Sequence, residues 1–160
     1  RRFLSFIPSR YDHVSSLRYA TDCIIAKLEQ LMLPVERRTA QTNITVLLRY
    51  QRALKELQMA LDSEEDRTSA ETLCATQLLG VFEVRFIYPP LQVNIADFWI
   101  RHVIGASRLI EARGAQRFET EFERSLLVAH MGPTVMAAFL DNSPCFLAGE
   151  QWQHVMRSAV

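Results

Sequence analysis

Residues 42–61 of the chain read TNITVLLRYQRALKELQMAL, which is the clearest helical pattern in the sequence. Its large apolar side chains recur at steps of three and four residues, which is the spacing of one face of an α-helix. Charged residues such as Arg49 and Lys55 fall between them, on the other side of the helical wheel. The stretch therefore predicts an amphipathic helix, and its predicted buried face is Leu47, Tyr50, Leu54, Leu57 and Leu61.

The residues before and after this stretch predict further helices. Residues 3–10 predict a short helix or turn, and residues 15–32 predict a longer helix that ends before Pro34. Residues 69–88 are apolar almost all the way round, which is typical of a central helix. The buried stripe predicted for the helix over 15–32 is Leu17, Ala20, Ile24, Leu28 and Leu31.

The C-terminal half continues the helical pattern. A helix is predicted over residues 96–113, and another from about residue 149 onward. Residues 118–142 are helical by spacing but contain Gly132 and Pro133. Because a proline inside a helix costs about 3 kcal/mol, we expect two helices or a sharp kink there.

The expected fold class is all-α, with antiparallel helix pairs in a multi-helix bundle or a solenoid-like stack. Thr68 and Glu71 predict a capping box before the central helix, and Gly114 lies where a left-handed C-cap is expected. We expect one helical domain over residues 1–160. The first residue is Arg1, which favours a fragment of a longer chain.

Charge and cysteine content argue against several classes of protein. The 18 basic and 18 acidic residues cancel, so no net positive field attracts nucleic acid. Cys23, Cys74 and Cys145 are too few and too far apart for a disulfide framework or a thiolate zinc site. No apolar run is long enough for a membrane span. We expect a soluble intracellular protein that does not bind nucleic acid by itself.

The sequence contains no recognisable catalytic motif. Its four histidines lack the spacing of a metal site, and neither a nucleophile elbow nor a phosphate-binding loop occurs. We therefore expect no enzymatic activity, no metal and no cofactor in this segment. His102 shares a helical stripe with Gly105 and Ala106, which favours a hydrogen-bonded histidine at a helix crossing over a ligand contact.

Glu83 is the most unusual titratable residue, because it lies within the most apolar helix between Phe82 and Val84. A buried carboxylate either pairs with a cation or has a raised pKa, and such groups concentrate at functional sites. A structural ion pair is the favoured interpretation. The cations considered as its partner are Arg85, Arg101, Arg108, Arg113 and Arg124.

One ordered series of residues extends from Trp99 to Trp152. Its first part has the form W-x2-H-x2-GA-x2-LI-x2-RG, and a CFL box follows downstream. The series resembles the regulatory domain, or middle homology domain, of fungal transcription factors of the binuclear zinc cluster class. Its members here are Trp99, His102, Gly105, Ala106, Leu109, Arg113, Gly114, Phe118, Cys145, Phe146, Leu147 and Trp152.

The resemblance extends upstream of Trp99. Tyr50 and Leu54 match a tyrosine-containing helix of the family, and Glu83 matches the glutamate that closes the next helix. The chain departs from the family at Ala115, where members often have proline, and at the glycine-proline pair of the following helix. About two thirds of the chain takes part in the resemblance.

The resemblance implies a nuclear regulator of transcription by RNA polymerase II. Zinc is expected only in the family's N-terminal cysteine cluster, which the 160 residues lack, so DNA would be contacted through a domain absent here. The implied partners are other proteins or a small-molecule effector, with no membrane. The matched residues are expected to be structural rather than catalytic.

Two other functions stay open on the sequence. A small helical ligand-binding protein or enzyme would have an inter-helix cavity near Glu83 and His102. A helical scaffold for protein partners would instead have an exposed apolar strip. The residues predicted for that strip are Leu126, Val135, Met136 and Phe139.

Overall fold

Helices make up most of residues 2–87 and 95–159, which are the residues that the computed structural model describes. Side-chain positions are described for these residues apart from 87, 95–99 and 159. No strand occurs in the described ranges, so the predicted all-α class is confirmed. The α-helices are α1 (Ile7–Arg10), α2 (Ser15–Met32), α3 (Ala40–Asp62), α4 (Ala70–Phe82), α5 (Ile95–Arg113), α6 (Glu121–Leu140) and α7 (Glu150–Ala159).

Short segments of tighter or wider helix supplement these elements. A 3-10 segment, Arg2–Phe6, precedes α1, and a π-helical segment, Glu83–Ile87, continues α4. The predicted central helix also included Tyr88, which lies outside the described residues. Other 3-10 segments are Val35–Arg37, Ala115–Arg117 and Phe146–Ala148.

Helices α2 and α3 form an antiparallel pair. Gln30, near the end of α2, donates from Nε2 to Oδ1 of Asn43 at 2.7 Å, near the start of α3. Farther along the pair, the Arg52 guanidinium lies 5.0 Å from the centre of the Tyr19 ring. Contacts that advance in opposite directions along the two helices define the antiparallel arrangement.

Helix α4 lies at the centre of the bundle, as predicted. It contacts α2, α3, α5 and α6, and almost every one of its residues is buried. Helix α5 runs back along α4, because His102 reaches Glu83 while Arg113 donates to the Thr68 carbonyl at 2.9 Å. Helix α6 then packs against α5, where His130 and the Val103 carbonyl are 3.2 Å apart.

The buried faces of α2 and α3 differ from the prediction. Leu28 and Leu31 of α2 and Leu47 and Leu54 of α3 are exposed, so these four assignments were wrong. Several of the residues buried on these two helices have small side chains, whereas the four leucines face solvent. The buried residues are Ser16, Leu17, Ala20, Cys23 and Gln30 of α2, and Val46, Ala53, Glu56, Leu57 and Ala60 of α3.

Two helices or a sharp kink were predicted over residues 118–142, and the division into two helices was wrong, because α6 continues through Pro133. The proline lacks an N–H and costs about 3 kcal/mol in an exposed helix. Buried side chains lie on both sides of it, with Phe122 and Leu126 before and Thr134 and Ala137 after. This packing holds both halves of the helix in place and overrides the local preference.

The helix ends confirm one capping prediction and correct another. Gly114 has φ +81°, the positive value that a glycine after a helix adopts readily. The predicted capping box at Thr68 and Glu71 was wrong, because Ser69 caps α4 by accepting the Thr72 N–H at 3.0 Å. Glu71 instead accepts from Arg10 at 2.7 Å, since its side chain faces α1.

Candidate functional site

Three side chains from three helical elements form a hydrogen-bonded cluster, hereafter the Glu83 cluster. The Tyr50 hydroxyl of α3 donates to Oε1 of Glu83, and Nε2 of His102 on α5 is hydrogen-bonded to Oε2 of the same carboxylate. Glu83 is only 6% exposed. The cluster therefore links α3, the end of α4 and α5 in the interior of the bundle.

Glu83 has a different partner from the one predicted. The expected arginine pair was wrong, since the described contacts of the carboxylate are with His102 and Tyr50. Glu83 opens the π-helical segment, whose different turn alters the direction of its side chains relative to α4. None of the arginines considered pairs with it in the described residues; these were Arg85, Arg101, Arg108, Arg113 and Arg124.

Opposing effects set the ionisation of Glu83. Burial alone would raise the pKa of its carboxyl, but hydrogen bonds from His102 and Tyr50 outweigh burial and hold the pKa below its ordinary value. Phe82 adds an apolar cover, because its ring stacks on Tyr50 with centroids 5.2 Å apart. Glu83 is therefore an ionised acceptor at neutral pH, held inside an aromatic environment.

A cavity of about 500 Å³ lies between α4, α5 and α6, beside His102. Of the two groups predicted to line an inter-helix cavity, His102 does so and Glu83 does not, because the Glu83 carboxylate is turned toward Tyr50. The apolar part of the wall consists of Phe3, Val81, Val84, Val103, Ala106, Ala129 and Pro133.

His130 and Gln77 provide polar groups on the cavity wall. Burial lowers the pKa of His130 more than its hydrogen bond to the Val103 carbonyl raises it, so the ring is neutral at neutral pH. Gln77 donates from Nε2 to the Leu126 carbonyl at 3.2 Å. Neither residue was predicted as part of a site. The spacing carries a signal for His130, since it follows buried Leu126 by one helical turn.

Arg113 of the matched series is the centre of a second buried network. Its guanidinium donates to the carbonyls of Thr68 at 2.9 Å and Arg117 at 3.1 Å, and also to the Glu123 carboxylate. The same group lies 5.3 Å from the centre of the Phe118 ring. Burial lowers the pKa of Arg113, but an arginine stays charged in proteins. Arg113 therefore joins the start of α4 to the turn between α5 and α6.

Aromatic residues of the series pack where α7 meets the turn before α6. Trp152 is 2% exposed, and its ring lies edge-on to Phe118 at 5.8 Å and to Phe146 at 5.0 Å. Leu147 is buried beside them, while Cys145 is half-buried. The CFL box thus anchors the C-terminal helix.

The remaining members of the series differ in how far they are buried. Ala106 is buried and Leu109 is half-buried, whereas a Cβ on Gly105 would meet no atom within 4 Å. The expected close helix approach therefore involves Ala106 and not Gly105. Leu54 is exposed, and the Trp99 side chain lies outside the described residues.

The predicted exposed strip is only partly exposed. Val135, Met136 and Phe139 are open to solvent. Leu126 is fully buried, so its assignment to the strip was wrong. Its backbone carbonyl accepts a hydrogen bond from Gln77 of α4.

The buried cysteines are not reactive thiols. Burial raises the pKa of Cys23 and Cys74 to about 12, which keeps both as neutral thiols. Within residues 2–87 and 95–159, no group of three or more histidines, cysteines or carboxylates could hold a metal ion. No helix in the same ranges is long and apolar enough to cross a bilayer.

A similar protein is known from a fungus. An uncharacterized protein of Emericella nidulans is 31% identical to this chain over 104 residues, which are 65% of the chain and 21% of that protein. The chain thus matches about a fifth of the length of this relative. No family model matches the chain, and no solved structure matches it.

Proposed function

We propose that this chain is a regulatory domain of a fungal transcription factor of the binuclear zinc cluster class. It acts in the nucleus on transcription by RNA polymerase II, and neither binds DNA nor catalyses a reaction itself. Any zinc belongs to a cysteine cluster outside these 160 residues. Regulation comes from a protein partner or a small-molecule effector that changes how the domain acts on the rest of the factor.

The Glu83 cluster is the observation that carries this proposal. Tyr50, Glu83 and His102 were matched to the family from separate stretches of sequence, and their side chains meet in one buried cluster. Arg113 and Trp152, also matched, lie at the centres of two further buried groups. A series with this distribution supports a shared helical framework, which is the role that the resemblance implies for these residues.

The fungal relative supports the same proposal in a limited way. Its organism is a fungus, as the resemblance requires, and its length leaves room for other domains beside the matched stretch. Its name assigns no activity, so the relative supports the proposal by its organism and its length alone.

A reporter assay in a filamentous fungus tests the proposal. The chain is inserted between a heterologous zinc cluster DNA-binding domain and an activation domain, and transcription of a target reporter is measured. We expect the insert to change reporter output about fivefold or more between rich and minimal medium, a coupling typical of regulatory domains. Trp152→Ala should abolish this response, while Gln153→Ala, at an exposed neighbouring position, should preserve it.

The contrary result is equally clear. If the fusion with the chain and the fusion without it give the same output in both media, the chain does not regulate transcription. Immunoblots of both fusions confirm that equal amounts of protein are compared.

A second candidate function is a ligand-binding protein or enzyme that uses the cavity beside His102. The cavity volume of about 500 Å³ and its largely apolar wall favour this candidate, since small-molecule sites have these properties. An enzyme would consume a bound ligand, whereas a regulatory domain would bind and release it unchanged. Mass spectrometry of the ligand after incubation separates the two.

A further inference from the structure

We infer that the cavity between α4, α5 and α6 binds a small, largely apolar organic acid, whose anionic group lies at Arg85. The biological role of this ligand rests on the proposed function, since the ligand would be the effector of the regulatory domain. The binding itself is a property of this chain and is tested separately from transcription.

The size and wall of the cavity select an apolar ligand. A volume of about 500 Å³ accommodates a molecule of one to three rings. Its walls include Val103 and Ala106 of α5 and Ala129 of α6, so most of the contact surface has no polar atom to offer. Transfer of apolar surface from water into this space supplies the main driving force.

The charge of the lining selects an anion. Arg85 is the one formally charged side chain among the described residues that line the cavity, and no ion pair joins it to a carboxylate in the described ranges. Glu83, the nearest carboxylate in sequence, does not line the cavity and is committed to Tyr50 and His102. A cationic ligand would therefore meet an unopposed positive charge, whereas an acid would gain a partner.

The buried polar groups add a requirement for a hydrogen-bond donor. Neutral His130 donates its Nε2 proton to the Val103 carbonyl, which leaves Nδ1 as an acceptor. Gln77 uses its amide N–H on the Leu126 carbonyl and Thr76 uses its hydroxyl proton on the Thr72 carbonyl, so both retain acceptor oxygens. A hydroxyl or N–H group on the buried part of the acid would match these acceptors.

Two fluorescent probes that differ only in charge test the inference on the purified chain. The anionic probe is 1-anilinonaphthalene-8-sulfonate, and the neutral probe is N-phenyl-1-naphthylamine, which has the same rings and N–H but no sulfonate. We expect the anionic probe to bind once per chain, to raise the melting temperature, and to bind more tightly than the neutral probe.

Substitutions at the cavity assign the site of binding. Arg85→Gln should weaken the anionic probe about two- to fivefold, as expected of a solvent-accessible ion pair, and leave the neutral probe unchanged. Val81→Asp, at a position 60% exposed on the cavity wall, removes apolar contact from both probes and repels only the anion, so it should weaken the anionic probe more than the neutral one. Arg108→Gln is the matched control, because Arg108 is exposed on α5 and does not line the cavity.

Filling the cavity gives an independent test. Ala129→Phe places a ring in the space and should weaken both probes about tenfold or more. If this variant does not fold, the two substitutions at exposed positions still decide the question. Equal affinity for both probes with no effect of Arg85→Gln, or unchanged binding by folded Ala129→Phe, would overturn the inference. So would the absence of binding by the anionic probe.

The outcome is distinguishable from a failure of the proposed function. A chain that binds neither probe but still controls the reporter removes the ligand site and leaves the regulatory function in place. A chain that binds the anionic probe at Arg85 but has no effect on the reporter keeps the site and removes the regulatory function.

Discussion

Glu83 and His102 lie 19 residues apart in the chain, and their side chains meet where α4 gives way to a π-helical segment. The hydroxyl of Tyr50, on α3, donates a second hydrogen bond to the same carboxylate. Because one buried anion accepts hydrogen bonds from two other helices, each donor affects the stability of the whole bundle. The same bonds fix His102 at the edge of the cavity.

Tyr50→Phe removes one of the two donors to Glu83 and retains the ring that stacks on Phe82. We expect the free energy of unfolding to fall by about 1 to 2 kcal/mol, since a buried carboxylate loses a partner. Tyr19→Phe is the matched control, because phenylalanine keeps the ring beneath Arg52, and it should change stability by less than about 0.5 kcal/mol. Urea unfolding measures both variants, and equal effects would place the Glu83 cluster outside the stabilising core.

His130 makes stability depend on pH. Burial lowers the pKa of His130, so the folded state holds the neutral ring. In the unfolded chain the ring takes up a proton at about pH 6.5. The stabilisation is therefore present above the unfolded pKa and is lost progressively as pH falls through about 6.5 toward the lower folded pKa. We expect His130→Gln to reduce the slope of the unfolding free energy against pH between about pH 7 and pH 5.

Urea unfolding of the wild-type chain and of His130→Gln across this pH range provides the comparison. A wild-type slope that persists in His130→Gln would assign the dependence to another group.

Arg113 should be more sensitive to substitution than any exposed arginine. Arg113→Gln removes the donor to Oε1 of the Glu123 carboxylate and the donor to the Thr68 carbonyl, and breaking a buried pair in this way costs about 3 to 5 kcal/mol. Arg113→Lys should recover only part of the loss, because an ammonium group lacks the planar fork that serves several acceptors. Thermal unfolding, with Arg108→Gln as the exposed control, provides the comparison. Full rescue by lysine would mean that charge alone matters.

Two glycines should respond to alanine in opposite directions. Gly114 has positive φ, and a Cβ there would lie 2.7 Å from the Gln116 amide, so Gly114→Ala should destabilise by about 1 kcal/mol or more. Gly105 lies inside α5 with open space around it, so Gly105→Ala should stabilise by about 0.5 to 1 kcal/mol. Melting temperatures that shift in the same direction for both variants would contradict the roles given to the backbone conformations at Gly114 and Gly105.

The helices could be predicted because local spacing determines them. Ser15–Met32 was predicted with both ends correct, and the central position of α4 followed from its apolar surface. The exact buried stripe of α3 could not be predicted, because it depends on which side of the helix α2 and α4 contact. The spacing within α3 does not specify these tertiary contacts.

The candidate site was only partly accessible to sequence reasoning. The unusual position of Glu83 indicated a buried, paired carboxylate, which the structure confirms. Its partner was misassigned because the π-helical segment changes the direction of the side chain relative to a regular helix. The cavity depends on the packing of three helices, so His130 could be placed on a buried face by its spacing but not beside a particular space.

We propose that regulation depends on the framework that the matched residues form. The most direct test is reporter output measured against the free energy of unfolding for Tyr50→Phe, Arg113→Gln and Trp152→Ala. We predict that the medium-dependent response declines in order of lost stability, with Trp152→Ala, at a cost of about 3 to 5 kcal/mol, among the weakest. A variant that unfolds like the wild-type chain but loses the response, or a strongly destabilised variant that keeps it, would contradict the account.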